Sequence, residues 1–154
     1  MSAPDRPDST PSQRSQAAVR LTFAYDGDDV RLLSRHRVEM TIPPGDALEG
    51  HEAQAGFWAE VRGVDGRVLH RRVIHDPIQR SVELFSDDPE QTLSRVPVER
   101  PEGVFTLVVP DVEDADHVAL ISSGPQLPGA RAAAREIARF PLRPSPPGSQ
   151  GRTP

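Results

Sequence analysis

The chain has 154 residues, a formal net charge of −5 and no cysteine. This length leaves room for one domain with tails, and the absence of cysteine excludes a disulfide framework, a thiol nucleophile and thiolate metal ligation. The negative charge argues against a general nucleic-acid binder, which needs a basic footprint, and no apolar segment is long enough to cross a bilayer.

Both ends of the chain are poor in large apolar side chains and rich in proline. Residues 1–18 and 144–154 therefore cannot offset their ordering entropy by burial, and we expect disordered tails around one domain at 19–143. All 18 basic residues are arginine, so lysine is absent, and the chain also has no asparagine. This composition indicates a GC-rich bacterial gene. The first residues lack the apolar stretch of a signal peptide, so we expect a cytoplasmic protein. Export by a dedicated secretion machine would leave no such mark.

The domain begins with two extended segments. "VRLTFAY" (19–25) alternates apolar and polar residues with the period of two that is typical of a half-buried strand. "DGDD" predicts a turn, and residues 30–42 form a second strand whose "SRHR" middle indicates a bulge. "PPGDALEG" then predicts a loop, because proline and glycine interrupt regular structure.

A hairpin is predicted next. Residues 57–62 and 67–75 alternate on either side of "VDGR". Asp-Gly between two alternating runs is a strong hairpin signal, because glycine accepts the positive φ of a tight turn. Pro77 follows the return strand and marks its end.

Short strands continue to the end of the domain. They are predicted at 80–86, 93–99, 103–109 and 117–123, and Pro97 marks its strand as an edge strand. The segment 129–142 fits either an alanine-rich helix or a linker followed by a strand, and we favour the latter. Short strands without long helices predict an all-β protein, an antiparallel immunoglobulin- or fibronectin-like β-sandwich.

Familiar catalytic motifs are absent from the sequence. There is no phosphate-binding glycine loop and no nucleophile elbow. "HEAQA" (51–55) begins like a metalloprotease motif but lacks its second histidine. His51, His75 and Asp76 fall on loops and could hold zinc, although ordinary loop residues are the favoured interpretation. An enzyme built from such scattered residues stays an alternative.

Acidic residues concentrate in a few turns. Counting antiparallel strands places "DGDD" and "PDVEDAD" at the same end of the sandwich. Converging carboxylates are what calcium requires, and they would also attract a basic partner. The candidate ligands are Asp26, Asp28, Asp111, Asp114 and Asp116. Plain turn chemistry, in which aspartate caps its own backbone, is the favoured interpretation, and calcium is the one cofactor considered.

The opening strand of the hairpin carries the single tryptophan. If Trp58 faces outward, it is a natural anchor for a protein partner. Arg71 and Arg72 on the return strand, like Arg35 and Arg37 earlier, could form an anion-binding face. Glutamates on neighbouring strands favour a salt-bridged solvated face instead. Trp58, Arg71 and Arg72 are the candidate binding residues.

Two segments carry a family resemblance. "GFWAEVRGVDGRVLHRR" and "GVFTLVVPDVEDADHVAL" resemble the immunoglobulin-type modules that accompany bacterial peptidases and other surface or assembly proteins. The hairpin is similar to that of the accessory domain in IgA-metallopeptidase-like proteins at Gly56, Gly66 and Leu69, and departs from it at Arg62, where an aliphatic residue is usual. The resemblance implies a fold and carries over no functional residue.

These observations predict a non-catalytic protein–protein interaction or assembly module. Its partner is another protein or a second copy of the chain, and neither nucleic acid nor membrane is expected. A calcium- or carbohydrate-binding sandwich that uses the acidic loops is the first alternative, and the scattered-residue enzyme is the second.

Overall fold

The computed structural model describes residues 16–49, 56–84, 94–123 and 133–144. The described ranges contain strands and no helix, so they hold no helix long and apolar enough to cross a membrane. The strands are β1 Gln16–Asp26, β2 Asp29–Met40, β3 Phe57–Arg62, β4 Val68–Ile74, β5 Ser81–Leu84, β6 Ser94–Pro97, β7 Glu102–Pro110, β8 His117–Ser122 and β9 Arg135–Pro141.

Most residues of the two predicted tails are not described by the structure. Residues 1–15 and 145–154 are not among the described residues. β1 begins at Gln16, inside the segment that was predicted to be a tail, and Ala17 and Ala18 pair with Glu39 and Val38 of β2. The first strand therefore begins three residues before the predicted boundary at Val19.

The strands form two main antiparallel sheets. One has three strands in the order β2-β1-β7, the other has four in the order β4-β3-β8-β9, and β5 and β6 make a separate pair. The all-β prediction and the position of each predicted strand are confirmed. For the ambiguous segment 129–142 the structure shows a strand, β9, while residues 124–132 lie outside the described part of the chain.

The core lies between the two main sheets, as in a β-sandwich. Alternate residues of β1 (Val19, Leu21, Phe23) pack in one buried cluster with Phe57 and the other inward-facing residues of the four-stranded sheet. The ring of Phe23 lies 5.1 Å from those of Phe105 and Phe140, which come from different sheets. This burial of apolar area is the main driving force for the fold.

The β3–β4 hairpin has the predicted turn. The Gly63 amide donates to the Arg67 carbonyl at 3.0 Å, and the Gly66 amide donates to the Gly63 carbonyl at 2.9 Å. Gly66 has φ of 81°, in the left-handed region that favours glycine. The Asp65 carboxylate accepts from the Arg67 amide, which is ordinary turn chemistry for aspartate.

The prediction that the "DGDD" turn shares one end with the "PDVEDAD" loop is wrong. Asp26 pairs with Glu102 at the start of β7, whereas Ala18 pairs with Pro110 at its end. The "DGDD" turn and the "PDVEDAD" loop therefore lie at opposite ends of the sandwich. The error comes from the connection between β2 and β3. β3 ends beside the 111–116 loop, where Arg62 pairs with His117. The connection therefore crosses the length of the sandwich, so the alternation of ends assumed in counting the strands is shifted by one.

Candidate functional site

A buried ionic cluster lies on the outer face of the four-stranded sheet. Trp58 is 1% exposed and packs with Ala119, Ile121 and Val73, and Arg71 is 2% exposed. Phe57, on the opposite face of the same strand, is also buried. Trp58 therefore faces away from the core between the sheets, as the anchor hypothesis requires, but its side chain is not exposed.

Glu60 is the centre of this cluster. Its Oε1 accepts hydrogen bonds from Trp58 Nε1 at 3.0 Å and from Nε and Nη2 of Arg71 at 2.9 and 2.7 Å. Its Oε2 accepts from Nε and Nη2 of Arg62 at 2.8 and 2.6 Å. Burial raises the pKa of Glu60, but the hydrogen bonds from Arg62, Arg71 and Trp58 outweigh burial and hold this pKa below its ordinary value. The carboxylate is thus ionised and fully paired.

Arg71 joins this cluster to the segment that precedes β3. Its Nη1 donates to the carbonyls of Ala47 and Leu48 at 3.1 and 2.7 Å. The Asp46 amide donates to the Arg71 carbonyl at 2.8 Å, and the Asp46 carboxylate accepts from the Val73 amide at 2.6 Å. Residues 46–48 therefore cover the free edge of β4, which is a common protection of edge strands.

The three predicted binding residues do not share a surface. Arg72 pairs with Ala59, a core residue, so it belongs to the face opposite Trp58 and Arg71. A cleft of about 340 Å³ lies beside the buried cluster. Its charges are already balanced, because Glu136 meets Arg62 and Arg139 at 2.8 Å each. This region is built to hold the fold together rather than to receive a charged ligand.

The five predicted metal ligands fall at two opposite ends of the sandwich. Four of them each meet a basic side chain at 2.5 to 2.8 Å. The pairs are Asp26–Arg100, Asp28–Arg80, Asp111–Arg37 and Asp116–His117. The fifth, Asp114, lies in the loop of Asp111 and Asp116. Across the described ranges, no three histidine or carboxylate side chains come close enough to hold a metal ion.

Of the three zinc candidates, the structure describes His75 and Asp76. His51 lies outside the described residues, and Asp76 accepts a hydrogen bond from the Ile78 amide at 3.0 Å. His70, not singled out from the sequence, has a buried Nε2 without a hydrogen-bond partner in the described structure. Burial, and then the charge of Arg72, lower the pKa of His70. Its imidazole is neutral at pH 7.

A groove rich in arginine runs between the edge strand β2 and the chain that follows β9. Its volume is about 570 Å³. It is lined by Val19, Arg35, Arg37, Asp111, Leu142, Arg143 and Pro144, a set that we call the arginine groove. Arg35 and Arg37 pair with Leu21 and Val19, so they occupy core-facing positions of β2. Because β2 is an edge strand, their long side chains can leave the core and reach solvent, and Arg37 is 76% exposed.

The arginine groove has an excess of positive charge. Three guanidinium groups line it together with one carboxylate, a local formal charge of +2 in a chain of −5. Arg35 donates to the Pro141 carbonyl, Arg37 contacts Asp111 at 2.6 Å, and Arg143 donates to the Glu113 carbonyl at 2.6 Å. A guanidinium has five N–H donors, so each of these arginines keeps donors for a bound anion. Carboxylates and phosphates are the groups that such forks recognise.

The chain matches no protein-family model, no curated protein and no solved structure. Its function is therefore inferred from the geometry of its own residues. The arginine groove combines an accessible cleft with charges that its own side chains leave unbalanced. Sequence patterns pointed to Arg35 and Arg37 as a basic pair, but not to Arg143, which lies more than 100 residues further along the chain.

Proposed function

We propose that this chain is a non-catalytic immunoglobulin-like β-sandwich whose arginine groove binds an acidic segment of another protein. The excess of two positive charges in an accessible groove carries this proposal. Electrostatic complementarity selects partners and speeds their encounter, so a groove of this charge favours aspartate- and glutamate-rich segments.

The order of the strands supports the immunoglobulin-like type. β4-β3-β8-β9 corresponds to the sheet formed by strands C′, C, F and G. β1 and β7 would correspond to B and E. β2 departs from the immunoglobulin pattern. It occupies the edge position of strand A, but it follows β1 in the chain, whereas strand A precedes strand B.

The size and charge of the groove favour a protein segment over a nucleic acid. The net charge of −5 repels a long polyanion, whose binding depends on many phosphate contacts. A short acidic segment needs only local complementarity. Core side chains at the base of the groove, Val19 and Leu142, would supply limited apolar contact, so selectivity would come mainly from the three arginines.

Affinity capture with charge-reversed baits tests the proposal. The bait is the full chain, and the groove variant carries Arg35→Glu together with Arg37→Glu. The matched control, Arg20→Glu with Arg31→Glu, changes the net charge equally at exposed positions of the same sheet. We expect a stoichiometric partner with an acidic segment on the wild-type and control baits, and its loss from the groove variant. Equal capture by all three baits, or no partner on any, would contradict the proposal.

A further inference from the structure

The two main sheets present four outer strands, and three of them are protected against pairing with another chain. An exposed sheet edge has unpaired N–H and C=O groups that can recruit a further strand, and proteins block such edges with charges, bulges or covering segments. The outer strands are β2 and β7 of one sheet and β4 and β9 of the other.

β2, β4 and β9 each have such a device. β2 carries several arginines and a bulge at the register shift between Thr22 and Phe23 of its partner. β9 has charged residues and a register shift as well, and the Pro141 carbonyl accepts from Arg35 of β2. β4 is covered by residues 46–48. These three edges are therefore poor templates for a further strand.

Among the described residues, β7 has neither a bulge nor a covering segment. It spans nine residues, "EGVFTLVVP", with one charged residue at its start and one proline at its end. Its pairing with β1 runs without a register shift from Glu102 to Pro110. Within the described part of the chain, no backbone group of β7 bonds to anything on the side away from β1. Val104 is 63% exposed on its outer face.

We infer that β7 pairs antiparallel with β7 of a second copy of this chain, which joins two three-stranded sheets into one of six strands. The sequence of β7 is complementary to itself in this direction. With Thr106 on the two-fold axis, Val104 faces Val108 of the other copy, and Glu102 faces Pro110. β-Branched pairs stabilise antiparallel neighbours, whereas facing like charges destabilise them. In this register the single charge of β7 never meets its own copy.

The symmetry of this pairing explains why a second copy is the favoured occupant. A two-fold interface uses one patch twice, so a self-complementary strand forms it without any other partner sequence. The arginine groove lies at β2, the opposite edge of the same sheet, and stays free. Dimerisation does not depend on what that groove binds, and the dimer would display two grooves for bivalent binding.

Cysteine pairing tests the register. The chain has no cysteine, so Thr106→Cys introduces a single reporter. Facing residues of antiparallel strands have Cα atoms about 4.5–5.5 Å apart, within the reach of a disulfide. The matched control is Thr22→Cys, on β1 in the same row of the sheet. Its counterpart in the joined sheet lies about 14 Å away, three strand spacings. We expect oxidation to link the Thr106→Cys copies and leave the Thr22→Cys chain unlinked.

Sedimentation equilibrium supplies a second, independent measurement. We expect the wild-type chain to dimerise and Thr106→Lys to raise the dissociation constant at least tenfold, because two ammonium groups would face each other across the axis. Ser34→Lys, in the same row on β2, should leave it unchanged. A monomeric wild type, a dimer that is indifferent to Thr106→Lys, or equal linking of both cysteine variants would overturn the inference. None of these results bears on the charge-reversal test of the groove.

Discussion

Replacement of Arg71 by methionine is the sharpest test of how the four-stranded sheet is held together. Methionine keeps the length and apolar stem of the side chain but removes its charge and donors. The change deletes two hydrogen bonds to Glu60 and two to the carbonyls of Ala47 and Leu48. It leaves a carboxylate whose side chain is 4% exposed with fewer partners.

The expected loss of stability follows from that burial. Removal of one partner of a buried ion pair typically lowers the free energy of unfolding by about 3–5 kcal/mol. Glu60 keeps its bonds to Arg62 and Trp58, so we expect the lower end, about 3 kcal/mol. The double variant Glu60→Leu/Arg71→Met should lose at least 1 kcal/mol less than the sum of the single variants, roughly the coupling found between contacting residues.

Urea denaturation followed by circular dichroism measures both quantities. The control is Arg67→Met in the same hairpin, an exposed arginine that should change the free energy of unfolding by less than about 0.5 kcal/mol. A loss for Arg71→Met within 1 kcal/mol of the control, or strictly additive losses in the double variant, would refute the account of the cluster.

Three further predictions concern single residues. The pKa of Glu60 is held below its ordinary value of 4.5, so its contribution to stability is complete above that pH and is lost as the pH falls through the lower native value. The urea midpoint of the wild type should therefore fall between pH 6 and pH 3, and Glu60→Gln should make this fall smaller. An equal fall in the variant would contradict the prediction. His70 has a pKa below its ordinary value of 6.5, so the wild type should lose stability as the pH falls below about 6.5. His70→Gln should remove this dependence of stability on pH. Urea midpoints of the variant that depend on pH as in the wild type would contradict the prediction. Gly66→Ala at φ 81° should lower the free energy of unfolding by about 1–2 kcal/mol in urea melts, and a neutral result would mean that the turn rearranges.

Local patterns were enough to predict the strands. The alternation of β1 and the Asp-Gly turn of the β3–β4 hairpin depend on neighbours in the sequence, and the structure confirms both. The faces of β3 were harder to assign, because its residues from Phe57 to Val61 are all buried. A period of two cannot separate core from surface when Ile121, Val73 and Arg71 bury the second face.

Long-range placement was not predictable from such patterns. The connection between β2 and β3 has the composition of a loop whether it turns back at once or crosses the sandwich, and this choice decides which acidic turns meet. The arginine groove depends on the same kind of information, because Arg143 reaches it from the far end of the domain. Pairing registers, rather than residue types, bring these side chains together.

The central claim is that the arginine groove recognises an acidic protein segment. Fluorescence anisotropy with a labelled hexaglutamate peptide tests it most directly, with the full chain titrated at low and at physiological salt. We expect saturable binding that weakens with salt, falls at least tenfold for Arg35→Glu/Arg37→Glu, and is retained by Arg20→Glu/Arg31→Glu. Absence of binding, equal loss in both variants, or tighter binding of a single-stranded oligonucleotide of equal charge would contradict it.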